Sequence, residues 1–169
     1  MRAFIPALIG LALASSACGP NVDLKQALHV IATDSGYFDA GIVEGRNKLV
    51  PSITLHIQKN TDASIRPLSL NVVFRRLPLK GQPPAAGSPA EEDFDDVFLQ
   101  SVQFDGNATK PLLIRAPHGY TGDPPQSRAD MLKNSQFRDI RVHVYAKHSA
   151  SQWIEIGQFD LPRQLLTAE

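Results

Sequence analysis

The chain has 169 residues, with 17 basic and 17 acidic side chains and a formal net charge of zero at neutral pH. This balance excludes a protein that binds nucleic acid through a basic surface, and the chain has no polybasic run to attract anionic lipid headgroups. The 13 prolines and 11 glycines are spread widely, which argues against a helical bundle and favours many short strands.

Residues 1–17 read MRAFIPALIGLALASSA, with one positive charge at Arg2, a short apolar run and a small-residue end. That order is the layout of a secretory signal peptide. The apolar run is too short to span a bilayer, which takes about 20 residues. We therefore predict a signal peptide over residues 1–17.

The stretch ASSACGP, residues 14–20, holds the only cysteine of the chain. A single cysteine can be a catalytic thiol, a metal ligand, half of an intermolecular disulfide or a processing site, and no disulfide partner exists within the chain. The run Ser15-Ser16-Ala17-Cys18 resembles a bacterial lipobox, with Ser15 where that family prefers Leu. The resemblance implies cleavage between Ala17 and Cys18, and acylation of Cys18. Two or three acyl chains would hold the protein firmly, since each buried CH₂ contributes about 0.8 kcal/mol.

Gly19 follows the cysteine, at a position where Asp tends to retain lipoproteins in the inner membrane of enteric bacteria. The resemblance therefore implies a bacterial cell-envelope protein, lipid-anchored to the outer membrane and facing the periplasm. Ordinary secretion is the first alternative, and a cytosolic protein is the second. Removal of residues 1–17 leaves 152 residues, which suits a single domain. We predict a tether over residues 18–27 and one domain over residues 28–169.

The first predicted strand lies near residues 28–32, and a turn-rich segment, TDSGYFDAGIVEGRNK, follows it. The clearest strand is LVPSITLHIQKN, with Pro51 at its start and three apolar residues in alternation with polar ones. Asn60-Thr61-Asp62 then predicts a turn. The next strand, IRPLSLNVVFRR, alternates in the same way, so the two strands form either an antiparallel hairpin or a corner of a sandwich.

Residues 78–93 are dominated by Pro, Gly, Ala and acidic residues without a period, which predicts an exposed, mobile loop. Strand patterns return at DDVFLQSVQF, a turn is predicted at Asp105-Gly106-Asn107, and KPLLIRA is a further short strand. Ser127 followed by Asp130 predicts one short helix near residues 127–134. Two strands, FRDIRVHVYAKHS and QWIEIGQFDL, close the pattern, and the tail from residue 162 is expected to form a helical turn or to fray.

About seven short strands and one short helix indicate an all-β fold, an immunoglobulin-like antiparallel β-sandwich. The paired strands ITLHIQKNTDASIRPLSLNVVFRR are similar to the core of small bacterial Ig-like domains of the late-embryogenesis-abundant type-2 and FxLyD kind. The resemblance covers residues 49–76 and implies the fold, since a fold of this kind does not specify an activity.

The sequence contains no pattern of a catalytic or metal site. The five histidines, His29, His56, His118, His143 and His148, lack metal-ligand spacing, and all are expected on surfaces or loops. The acidic run at residues 91–96 lacks the glycine and spacing of a calcium loop, so it is interpreted as a solvated loop edge. No Gly-x-Ser-x-Gly elbow or phosphate-binding glycine loop occurs. We therefore expect a protein that is not an enzyme and has no metal or cofactor.

The loop RAPHGYTGDPP, residues 115–125, is the best candidate for recognition, because it combines His118, Tyr120 and Asp123 with glycines and prolines. The competing interpretation is that Tyr120 packs onto the end of the sandwich and the loop only connects strands. Trp153 has the same two interpretations, either packing at a sheet edge or a binding hot spot.

These observations predict a non-enzymatic adaptor or binding module whose partners are the membrane, through Cys18, and another envelope protein. An accessory or ligand-carrying subunit of an envelope transport system is the alternative, and a hydrolase with an unrecognised site is the third. A carrier requires an apolar groove between the sheets, an enzyme requires perturbed acids or histidines in a cleft, and an adaptor requires an exposed apolar or aromatic patch.

Overall fold

The structure is a computed structural model, and it describes residues 22–84 and 86–166. The described residues form eleven strands and two short helices in two sheets. In chain order the elements are α1 (Leu24–Ala27), β1 (Leu28–Val43), β2 (Arg46–Lys59), β3 (Leu68–Arg76), β4 (Glu92–Val102), β5 (Phe104–Asp105), β6 (Ala108–Thr109), β7 (Leu112–Arg115), β8 (Tyr120–Gly122), α2 (Arg128–Lys133), β9 (Ile140–His148), β10 (Ile154–Asp160) and β11 (Leu165–Leu166).

The two sheets pack face to face as a sandwich. The large sheet has the order β11-β1-β2-β6-β5, and β7 and β8 also pair with β2. The small sheet has the order β10-β9-β3-β4. The predicted all-β sandwich is therefore confirmed. Five short elements were not predicted, namely α1, β5, β6, β8 and β11. Each has only two to four residues, which is too few for a helical or strand period to show in the sequence.

The core lies between the sheets and is formed by the predicted inward positions of the long strands. These positions are fully buried in β2 (Ile53, Leu55, Ile57), in β3 (Leu68, Leu70, Val72, Phe74) and in β9 (Ile140, Val142, Val144, Ala146). Because β2 and β3 belong to different sheets, the turn at residues 60–62 is a corner of the sandwich and not a hairpin. Side chains from both sheets form one continuous core.

The segment at residues 33–48 is not the turn-rich loop that the sequence predicts. Instead, β1 continues to Val43 and forms a long hairpin with β2. The ladder shifts register after Ala32 and again after Asp39, and the chain turns only at Glu44 and Gly45, which both have positive φ. Asp34, Asp39 and Gly41 therefore lie at bulges inside a strand, where one extra residue is accommodated without ending the pairing, and Gly36 pairs in regular register with Ser52.

The position of Pro51 also differs from the prediction. β2 begins at Arg46, so Pro51 lies within the strand and not at its start. A central proline is tolerated here because Pro51 lies opposite the gap between β7 and β8, the two short strands that pair with this side of β2. β7 ends at Arg115 opposite Ser52, and β8 begins opposite Leu49. The missing N–H of the proline therefore leaves no partner strand unpaired.

Both ends of the described chain are held by the sandwich. Within the predicted tether, Asp23 caps α1 and Leu24 is buried, so packing begins before residue 28. At the other end, the segment expected to be a helical turn or a frayed tail forms β11 instead. It pairs in parallel with Tyr37 and Phe38 of β1.

The two remaining local predictions concern the Pro/Gly-rich segment and the helix. β4 begins at Glu92, so the predicted loop at residues 78–93 overlaps the start of a strand. The helix α2 occupies residues 128–133 within the predicted range, and the side chain of Ser127 accepts a hydrogen bond from the Asp130 N–H as the capping pattern predicts.

Candidate functional site

Tyr120, the aromatic residue of the predicted recognition loop, turns inward. Its ring stacks on Phe94 with centroids 5.6 Å apart and also contacts Phe137 and Tyr37. The phenol donates a hydrogen bond to the carbonyl of Arg138 at 2.9 Å. Burial raises the pKa of Tyr120 above its ordinary value. The side chain therefore closes one end of the sandwich and presents little surface to a partner.

The other two predicted loop residues are exposed and have different partners. The backbone N–H of His118 donates to Asp95 at 2.6 Å, and its Nδ1 lies 3.1 Å from the same carboxylate. Asp123 forms an ion pair with Arg46 at 2.6 Å. His118, Tyr120 and Asp123 each contact a different part of the protein, so their side chains do not form a common binding site.

His143 is the residue whose prediction was wrong. It was expected on a half-exposed polar face, but it is buried on the outer face of the small sheet. Its Nε2 lies 2.8 Å from Glu91 and its Nδ1 lies 2.9 Å from Glu155. Each nitrogen of the imidazole ring therefore faces a carboxylate oxygen from a different strand or segment. The sequence analysis did not anticipate this contact, because Glu91 belongs to the segment before β4 and covers His143 only in the folded protein.

The surroundings of Glu91 show that the acidic run is more than a solvated edge. Arg141 donates to the second oxygen of Glu91 at 3.0 Å and also binds Asp160. Burial alone would raise the pKa of Glu91, but the hydrogen bonds from His143 and Arg141 hold it below the ordinary value of 4.5. Both carboxylate oxygens of Glu91 and both ring nitrogens of His143 have hydrogen-bond partners. The geometry of this cluster suits a role in stability.

His56 lies on the opposite outer face, where the structure forms a groove of about 870 Å³ across the large sheet. Ser52, Thr54 and His56 are alternate residues of β2 and line its floor. Leu113 of β7 and Leu165 of β11 stand on its two sides and are 57% and 38% exposed. The groove therefore has a polar floor and apolar rims.

Some polar groups of this groove have no hydrogen-bond or ion-pair partner among the described residues. Ser52 is 1% exposed, and its Oγ makes no hydrogen bond among the described residues. Arg115 lies in register with Ser52, and its guanidinium stacks on the ring of Phe38 at 3.5 Å. In the part of the chain that the structure describes, neither Arg115 nor Asp34 on the opposite wall forms an ion pair.

A second exposed surface lies on the outer face of the small sheet. Phe98 of β4 is 58% exposed and Trp153 is 40% exposed, and the two rings meet edge to face with centroids 5.9 Å apart. The Nζ of Lys147 lies 5.9 Å from the Trp153 ring. We call these three residues the aromatic patch. Trp153 therefore packs against a neighbouring ring at the sheet surface, but its exposed fraction leaves it accessible to a partner.

Within residues 22–84 and 86–166, no group of three or more His, Cys, Asp or Glu side chains is arranged to hold a metal ion. No helix in this part of the chain is long and apolar enough to cross a membrane. Cys18 and Ala17, the predicted lipidation and cleavage positions, lie outside the described residues. Comparison with protein-family models, with curated proteins and with solved structures found no match to this chain.

Proposed function

We propose that this protein is a lipid-anchored component of the bacterial cell envelope, with Cys18 joined to the outer membrane, and that its sandwich is a non-enzymatic binding module facing the periplasm. The ligand is an extended peptide segment of another envelope protein. One observation carries the proposal: the groove on the large sheet combines exposed apolar rims with polar groups, among them Arg115, that have no partner in the described part of the chain.

The dimensions of the groove suit a short extended peptide. The floor from Ser52 to His56 spans four residue-to-residue steps of a strand. At about 3.4 Å per step this is roughly 14 Å, the length of four to five extended peptide residues. Apolar side chains of the peptide would pack against Leu113 and Leu165, and its polar groups would face the floor. Binding pockets commonly combine apolar contacts with a small number of polar groups that fix the orientation of the ligand.

The charge of Arg115 favours an acidic side chain of the peptide at that end of the groove, opposite the wall that carries Asp34. The Arg115 guanidinium is held flat against Phe38 and has no carboxylate partner among the described residues. A guanidinium that is already oriented loses less entropy on binding a carboxylate than a free side chain would. Ser52 lies beside Arg115 in the β2–β7 register, and its buried Oγ has no hydrogen-bond partner among the described residues.

The peptide site is tested by crosslinking in cells. A photoreactive p-benzoylphenylalanine at position 113 is expected to crosslink to an envelope protein. The same substitution at Ile42, which is 66% exposed at the tip of the β1–β2 hairpin, serves as the control. In the position-113 protein, Arg115→Glu is expected to reduce the crosslinked product about tenfold or more, because one charge-assisted contact contributes at least about 1.5 kcal/mol. Equal crosslinking at positions 113 and 42, or none at 113, contradicts the proposal.

The anchor is tested separately by Cys18→Ser. Without the thiol no acyl chain can be attached, so the variant is expected to move from the membrane fraction to the soluble fraction after cell fractionation. The chain that retains Cys18 is expected to gain the mass of its acyl groups. A Cys18→Ser variant that stays membrane-bound would show that attachment does not depend on this cysteine.

A further inference from the structure

The aromatic patch and the groove lie on opposite outer faces of the sandwich. The patch belongs to the small sheet, where Phe98 pairs in register with Asn71 and Lys147 pairs with Ser69. The groove belongs to the large sheet. A surface in contact with the patch would therefore leave the groove open on the other side of the molecule.

The patch also lies toward the end of the sandwich at which the described chain begins. We call this the entry end. β3 starts there with Leu68, which pairs with His148 at the end of β9. β10 starts there one residue after Trp153, and farther along β10 Gly157 packs against Val30, near the start of β1. The short helix α1 contacts both β9 and β10.

The two ends of the sandwich differ in their ion pairs. The arginines whose carboxylate partners the structure describes lie toward the far end, as in the pairs Arg46–Asp123 and Arg138–Glu92. At the entry end, Lys147 lies beside Trp153, and Lys59 lies 5.4 Å from the ring of Phe104. Neither lysine has a carboxylate within ion-pair distance in the described chain.

The length of chain before the described residues limits how far this end can be from an anchor. Val22 is four residues after Cys18. Four residues span at most about 14 Å when fully extended. This reach is shorter than the thickness of one leaflet, which consists of a headgroup layer and half of the hydrocarbon core. An acylated Cys18 would therefore hold the entry end at the membrane surface.

From these observations we propose that the aromatic patch rests in the headgroup layer of the membrane to which Cys18 is attached. This proposal depends on the proposed lipid attachment. Trp rings prefer the boundary between water and hydrocarbon, and Phe rings insert at the edge of the acyl chains. Lys can place its stem among apolar groups while its charge reaches the lipid phosphates. The small sheet then faces the membrane, and the groove of the large sheet faces away from it, toward soluble or membrane-bound partners.

The experiment uses two features of the sequence. Cys18 is the only cysteine, and Trp153 is the only tryptophan. The chain from Cys18 onward, which contains every described helix and strand, is coupled through its thiol to a maleimide-headgroup lipid in vesicles of phosphatidylethanolamine and phosphatidylglycerol. Coupling replaces natural acylation, so the result does not depend on whether Cys18 is lipidated in cells. The fluorescence of Trp153 is then recorded with unmodified lipids and with lipids that carry brominated acyl chains.

We expect the Trp153 emission of the coupled protein to shift to shorter wavelength and to lose most of its intensity with brominated lipid. Phe98→Ser is expected to reduce this quenching several-fold, while Ile42→Ser at the far end leaves it unchanged. Thermal unfolding shows whether both variants stay folded, which is expected because both side chains are exposed.

An unshifted, unquenched Trp153 on a firmly coupled protein overturns the proposal, since the patch would then face water. A blue shift that needs no lipid and grows with protein concentration also overturns it, because the occupant would be a second copy of the chain. If Cys18→Ser fails to release the protein from cell membranes while the vesicle experiment succeeds, the lipid-anchor proposal fails and the orientation of the patch in the coupled protein stands.

Discussion

Substitution of Glu91 by Gln tests whether the buried cluster around His143 stabilises the fold. The change keeps the size of the side chain and removes its charge. Glu91 accepts from His143 at 2.8 Å and from Arg141 at 3.0 Å, and its side chain is 16% exposed. A glutamine oxygen can accept only part of this set, and its amide group would point a donor at a donor.

The expected loss follows from these contacts. Hydrogen bonds to charged groups contribute about 1.5–3 kcal/mol each, and one of the two can persist with the glutamine oxygen. We therefore expect Glu91→Gln to lower the free energy of unfolding by about 1–3 kcal/mol. For a domain of this size each kcal/mol corresponds to a Tm decrease of about 2–4 °C.

The matched control is Asp93→Asn, two residues away in the same acidic run. Asp93 lies 3.3 Å from Arg75, but its side chain is 86% exposed, so its removal is expected to cost less than about 1 kcal/mol. Urea unfolding curves of the parent protein and both variants give the comparison. If the two substitutions cost the same, the cluster is an ordinary surface ion-pair network and the reasoning is wrong.

The dependence on pH provides a second check. Because the native pKa of Glu91 lies below the ordinary value of 4.5, the unfolded state binds more protons as the solution is acidified. The stabilisation by Glu91 is therefore fully present above about pH 4.5 and is lost as the pH falls through the native pKa. The stability difference between the parent protein and Glu91→Gln should shrink over that range. A difference that stays constant in acid would refute the assignment to the Glu91 charge.

Three further substitutions test the packing. Phe74→Ala removes a fully buried ring from the core and is expected to cost about 3–5 kcal/mol in urea unfolding, and a loss below 1 kcal/mol would contradict the burial. Gly119→Ala would place its Cβ against the carbonyl oxygen of Leu49, so lower stability and changed amide signals in β8 are expected in NMR spectra. Tyr120→Phe removes the hydrogen bond to Arg138 and should cost about 1 kcal/mol. The Tyr120 phenol should ionise above the ordinary tyrosine range in an alkaline absorbance titration, so its stabilising effect is lost as the pH rises through that raised pKa.

The long strands could be predicted because each carries its own period. In β3, every second residue from Leu68 to Phe74 is apolar, and these residues are the ones that the two sheets bury. The β1–β2 hairpin could not be predicted in the same way. Its glycines and aspartates indicate turns when read locally, and only the pairing with β2 along the length of β1 places them inside a strand.

The candidate sites were less predictable than the fold. His143 alternates with apolar residues of β9, a pattern typical of an exposed polar face, and nothing local shows that Glu91 will cover it from 52 residues away. The groove joins Ser52 and Arg115, which are distant in sequence and become neighbours only through the β2–β7 register. Tyr120 was recognised as important in its loop, but the rings around it come from three other segments.

The sequence by itself determined the strand periods, the sandwich class, the capping of α2 and the signal-like N-terminus, because each depends on residues close together in the chain. Only the tertiary structure decided which polar residues become buried partners, where the groove lies and which face carries the aromatic patch. Those properties depend on contacts between strands far apart in sequence, and a period of two specifies which residues point inward without specifying which strand will lie beside them.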